Sequence, residues 1–207
     1  LIDGSAHPLD PWSHWLEIGG RVDAFPYGPI MFLCFLPGAL LAYLANLLFS
    51  VNIETSTQFS LFATLLVLDY LLMRLLGVFS NKKESPWVWT AILTPVPIYI
   101  SFIHGQLDLV PSLFLFYAAL KIINRNWRLA GLVLGFGIAA KFSLILVIPF
   151  ILLYFVASKL AAKHVLQFAA TFMLAGMLTL IPLLYSQGYR AMVFGTPEVL
   201  KTLDVRI

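Results

Sequence analysis

The chain has 207 residues, 60% of them hydrophobic and 11% charged, with a formal net charge of +3. A mean hydropathy of +0.91 excludes an ordinary water-soluble domain. No Lys/Arg run is long enough to track phosphates, which excludes a nucleic-acid partner, and a single cysteine, Cys34, supports neither a disulfide framework nor a cysteine metal site.

Apolar runs of about 20 residues recur, so the chain reads as an all-α polytopic membrane protein. The strict two-residue alternation of a β-barrel is absent. In chain order, residues 1–27 are polar and aromatic and form a loop, with a short amphipathic helix over 10–18. An apolar helix over 29–50 follows, interrupted at Pro37-Gly38, then a helix over 57–77 carrying Asp69 and Arg74. Asn81-Lys82-Lys83-Glu84 is a charged turn, and a helix over 86–103 is expected to kink at Pro95 and Pro97. The polar junction His104-Gly105-Gln106-Leu107-Asp108 comes next. Helix 109–122 ends in a basic stretch, and short helices over 129–140 and 144–157 flank Lys141. At 1.5 Å per residue these two reach only about 18 and 21 Å, short of a hydrocarbon core of about 30 Å. A helix over 165–185 and a polar tail over 186–207 complete the sequence. The organisation expected is a first external loop with a juxtamembrane helix (1–56), a transmembrane bundle (57–185) and the start of a further external loop (186–207). The chain begins at Leu1 in a polar segment and reads as a fragment.

Three basic turns carry Lys82/Lys83, Lys121/Arg125/Arg128 and Lys159/Lys163, each separated from the next by two helices. The positive-inside rule puts all three in the cytoplasm. The His104–Asp108 junction, Lys141 and the tail then face the other side. Helix 57–77 runs from outside to inside. Helix 29–50 leaves a parity question: if it spans, loop 1–27 is cytoplasmic; if it lies in the outer leaflet, that loop shares a side with Lys141.

Polar groups between apolar helices are expensive unless they serve a site. His104, Gln106 and Asp108 suit the positioning of a polar substrate or water, and Asp108 also suits the N-cap of the following helix. Lys141 needs an anionic partner or water: a lipid phosphate, a protein carboxylate, or the interface reached by snorkelling. Asp10, before an aromatic segment, fits either a general base or an Asp-Pro turn. Asp69 fits a contact between helices. No glycine-rich phosphate loop, Ser-His-Asp elbow or HExxH occurs.

In this order the motifs resemble the GT-C superfamily of membrane glycosyltransferases. Asp10-Pro11-Trp12 is similar to the aspartate motif in the first external loop of oligosaccharyltransferase catalytic subunits. His14-Trp15-Leu16-Glu17-Ile18 resembles the adjoining segment of dolichol-linked glucosyltransferases and mannosyltransferases. Phe25-Pro26-Tyr27-Gly28-Pro29 looks like the Tyr-Pro-Pro approach to the next helix, and His104–Asp108 looks like the second external loop motif. Arg128 to Pro149 is similar to the paired short helices that follow, and Phe194-Gly195-Thr196-Pro197-Glu198 falls where a further external loop begins.

The resemblance implies a polyprenyl-phosphate-linked sugar donor, dolichyl phosphate among them, and a glycan, lipid or protein acceptor on the extracytoplasmic or lumenal face. It implies a multi-pass protein of a bacterial inner (plasma) membrane or of the endoplasmic reticulum. Asp10 would be the catalytic base, with Asp3 as runner-up, and His104, Gln106, Asp108, Lys141 and Tyr27 would bind substrate. Helix 29–50 would lie on the external face, which answers the parity question. The acid that the family carries two residues before its aspartate is Pro8 here. No metal ligand is therefore assigned, and a divalent cation, magnesium or manganese, stays open. The alternative from another class is a secondary transporter or lipid flippase. Two matching interrupted helices, its discriminating feature, are not seen.

Overall fold

A computed structural model describes residues 10–22, 27–79 and 107–195, and the fold is given for these. They form α1 (Pro11–Glu17), α2 (Pro29–Phe49), α3 (Ile53–Phe79), α4 (Leu109–Ile123), α5 (Trp127–Ala140), a 3₁₀ segment (Phe142–Val147), α6 (Ile148–Ala157), α7 (Ala162–Tyr185) and α8 (Gln187–Phe194). No strand occurs among the described residues. The expected all-α membrane architecture is therefore observed. Three helices, Pro29–Phe49, Glu54–Val78 and Ala162–Tyr185, are long and apolar enough to cross a membrane. Their exposed Leu47, Phe49, Phe59, Leu166 and Leu184 suit a lipid surface and would be unfavourable in water. Asp3, the 81–84 turn, helix 86–103, His104 and Gln106 lie outside the described residues.

The bundle is built on α5. Its Gly131 and Gly135, four apart, press on α7: a Cβ on Gly131 would lie 2.2 Å from the Phe168 carbonyl oxygen, and one on Gly135 would lie 2.6 Å from Ala175 Cβ. Glycine here lets two backbones approach, the small-xxx-small contact of membrane helices. Gly137 faces the other way, with room only for Phe114 of α4 and Leu144. The paired contacts 131 with 168 and 135 with 175 make α5 and α7 run in the same sense, so α6 returns between them. Two basic turns, Lys121 to Arg128 and Lys159 to Lys163, fall at one end of this bundle. Trp127 joins them, its ring 5.9 Å from Phe155 and 5.9 Å from His164.

α2 continues through Pro37, and the interruption expected at Pro37-Gly38 is absent. Gly38 instead lets α3 approach, since a Cβ there would meet Thr64 Oγ1 at 2.4 Å. α2 and α3, joined by only Ser50-Val51-Asn52, pack antiparallel and enclose an apolar groove of about 840 Å³ lined by Cys34, Ala45, Thr55 and Leu68 among others. Thr64 bonds its hydroxyl back to the Ser60 carbonyl at 2.8 Å, while the buried Ser56 hydroxyl has no partner among the described residues. Beyond Leu68, α3 runs beside α4 in the same sense: Arg74 and Val78 line a second cavity with Leu113 and Tyr117. α2 joins the bundle through its first turns, where Met31, Val110 and Ala140 form a buried cluster.

Candidate active site

At the end of α5 the backbone of Lys141 leaves the helix (φ −147°, ψ 114°) and the 3₁₀ segment begins. This break sends Nζ across the α4–α5 hairpin, where it donates to Asp108 Oδ1. Asp108 occupies the N-cap position of α4, but its backbone is already helical (φ −67°, ψ −13°) and its side chain makes no cap hydrogen bond. The expected capping role is thus corrected. A side chain reaches the N2 and N3 amides from an extended N-cap backbone, which Asp108 lacks. Of the partners open to Lys141, the protein carboxylate is the one observed. The side chains of Lys141 and Asp108 keep 33% and 43% of their surface exposed, which puts the pair near the surface and not in the core.

Tyr27 packs, with Leu107, on the buried cluster of Met31, Val110 and Ala140, the last of which precedes Lys141. Gly28 makes the approach possible: a Cβ there would fall 2.3 Å from the Ala139 carbonyl oxygen and 3.2 Å from Tyr189 Oη.

Asp10 is the N-cap of α1, with Oδ1 accepting from the Ser13 amide at 3.1 Å. The same oxygen accepts from Ser186 Oγ at 2.5 Å, across 176 residues of sequence. Ser186 in turn caps α8, its Oγ accepting from the Tyr189 amide at 2.9 Å. Gly188 closes the arrangement by donating its amide to Ser13 Oγ at 2.9 Å. No side chain fits at Gly188, whose Cβ would lie 2.2 Å from Ser13 N. Trp12 fills the space between, its ring 4.7 Å from Tyr189 and 6.0 Å from Phe32. Burial pushes the Tyr189 phenol above its ordinary value, so it stays protonated.

Tyr189 links the two halves of the site, with its ring on Trp12 and its hydroxyl facing Gly28. Asp10, Tyr27, Asp108 and Lys141 thus share one end of the bundle, opposite the two basic turns. The sequence reading missed α8, treating 186–207 as a polar tail. Ser186 ahead of Gln187-Gly188-Tyr189 is the N-cap signal that marks it. Arg190, which donates to the Leu183 and Leu184 carbonyls at 2.8 and 3.3 Å, closes the end of α7. Among the described residues no three His, Cys, Asp or Glu side chains gather as a metal-binding group.

Residues 25–203 match Glycosyltransferase family 87 (GT87). No curated protein matches the chain, and no solved structure does. The match takes in Tyr27, Asp108, Lys141 and Ser186, and it covers well over half of the 207 residues. The chain belongs to glycosyltransferase family 87 and is a membrane glycosyltransferase of the GT-C type.

Proposed function

We propose that the sugar donor is a polyprenyl-phosphate-linked sugar and that transfer takes place on the extracytoplasmic or lumenal face of a multi-pass protein. The observation that carries this reading is the position of Lys141, partly exposed at a helix break, with Tyr27 on the cluster that includes Ala140 and Asp10 at the same end of the bundle. An ammonium held there by one carboxylate has a hydrogen left to donate to a second anion. The position of the basic turns at the opposite end supports the assignment of sides.

In the reaction, the acceptor hydroxyl oxygen forms a bond to the anomeric carbon as the bond from that carbon to the phosphate oxygen breaks. The electron pair leaves with the phosphate. Asp10 takes the acceptor proton. Lys141 stabilises the negative charge that grows on the leaving phosphate. Asp108 holds Lys141 and, with His104, Gln106 and Tyr27, orients the sugar hydroxyls. Asp3 is the runner-up base. A divalent cation, magnesium or manganese, is compatible with this chemistry.

The groove between α2 and α3 suits the donor's apolar tail. Cys34 and Leu68 at one end of it pack on the Met31, Val110 and Ala140 cluster, one residue from Lys141. The chain sense supports an external α2. α3 runs with α4 from outside to inside, so α2, antiparallel to α3 and starting at the Lys141 end, lies toward the outer side, with its exposed Leu47 and Phe49 against the lipid of the outer leaflet. α3, with 27 residues, is about 40 Å long and exceeds the hydrocarbon core.

Asp10→Asn tests the base. Transfer from radiolabelled polyprenyl-phosphate glucose and mannose to membrane acceptors is expected to fall roughly 10²- to 10⁴-fold with donor binding retained. Full transfer by a folded variant would overturn the assignment.

A further inference from the structure

We infer that Ser186 is a positioning residue for the base. Its hydroxyl proton, donated to Asp10 Oδ1, holds the carboxylate in the orientation from which it takes a proton. This rests on the reading of Asp10 as base, and it adds a residue 176 positions away on another helix.

A serine hydroxyl has one proton and two lone pairs. At Ser186 the acceptor side is occupied by the Tyr189 amide at 2.9 Å, and the residue is fully buried, so no water competes. The single proton is left to Asp10 Oδ1 at 2.5 Å. Capping α8 requires only the accepting lone pair. The donation to Asp10 goes beyond what a cap needs, and a bond from a neutral donor to a carboxylate is stronger than one between neutral groups. With the Ser13 amide on the same oxygen, two donors from different helices fix the carboxylate. The spacing between those helices is set by backbone contact, because Gly188 leaves no room for a side chain against Trp12 and Ser13. The Trp12–Tyr189 ring contact keeps α8 from sliding. The helix that follows α7 therefore takes part in positioning the base.

Four variants of the full chain in native membranes separate the possibilities: Asp10→Asn, Ser186→Ala, Ser186→Thr and the double Asp10→Asn/Ser186→Ala. Donors are radiolabelled polyprenyl-phosphate glucose and mannose. Ser186→Ala is expected to lower kcat roughly ten- to hundredfold with the donor KM nearly unchanged. Ser186→Thr, which keeps both the proton and the cap, restores it. In the Asp10→Asn background the loss of Ser186 produces no further fall, because the proton has no carboxylate to orient. A purely structural serine would lower the residual rate of the double variant again, and that result overturns the inference. So does wild-type turnover by Ser186→Ala while Asp10→Asn is inactive. Full activity of Asp10→Asn overturns the base reading itself. A donor-independent arm is hydrogen exchange in the peptide spanning 11–18. Ser186→Ala is expected to speed exchange of the Ser13 amide severalfold and Ser186→Thr to restore protection, and unchanged exchange overturns the hydrogen bond on which the inference stands.

Discussion

Lys141 and Asp108 are exposed over about a third and over two fifths of their side chains, and ion pairs so exposed contribute about 0–1 kcal/mol to stability. The pair is therefore a poor explanation for how α4 and α5 stay together; Gly137 against Phe114 and the Met31–Val110–Ala140 cluster do that. A charge that adds little to stability at a helix break is better placed to bind an anion. Lys141→Met is expected to lower kcat/KM for transfer from polyprenyl-phosphate donors at least tenfold, mainly through kcat, while shifting stability by no more than about 1 kcal/mol. Initial rates and thermal unfolding in detergent check both halves. A loss of activity that merely tracks a loss of folded protein would count against the phosphate role. At this scale the candidates were legible because polar groups stand out in apolar sequence. Asp108 was placed correctly and its bond was not, since the backbone angles that direct a side chain are not written in its residue type.

Among the helices, the contact of α5 with α7 depends on two glycines at a spacing of four. Apolar periodicity passes over glycine, which is why the sequence reading found the helices without finding the seam between them. Gly135→Leu is expected to destabilise the bundle by about 1–3 kcal/mol, since even its Cβ would lie 2.6 Å from Ala175 Cβ. At Gly176, on α7 itself, a Cβ would have nothing within 4 Å among the described residues, and Gly176→Leu is expected to leave the unfolding midpoint nearly unchanged. Equal midpoints for the two variants would remove the seam from the account. Pro37-Gly38 illustrates the opposite error. Helix-breaking residues predicted an interruption in α2, but in a membrane helix a neighbouring helix tolerates both, and Gly38 became the point where α3 approaches.

Across the whole molecule, the site residues collect at one end and the basic turns at the other, which predicts opposite labelling. With Cys34 replaced by serine, Gln187→Cys is expected to react with an impermeant maleimide in intact cells. Asn124→Cys and Ser158→Cys are expected to react only after permeabilisation. All three positions are exposed. Labelling of all three from one side would sink the assignment of faces. The transporter alternative from the sequence loses its ground at this scale, since the family match identifies a glycosyltransferase.

What the sequence by itself determined was the solvent of the protein, its helical class, the extents of most helices and a short list of polar residues worth explaining. Each follows from local quantities: hydropathy over about 20 residues, the charge of short turns, and the desolvation penalty of a charge in an apolar run. Only the tertiary structure decided that Lys141 pairs with Asp108, that α8 exists as a helix capped by Ser186, and that Ser186 donates a hydrogen bond to Asp10. Those contacts join residues 33 and 176 apart. Their formation depends on how closely glycine lets backbones approach, which is a property of packed helix pairs and not of any single stretch of chain.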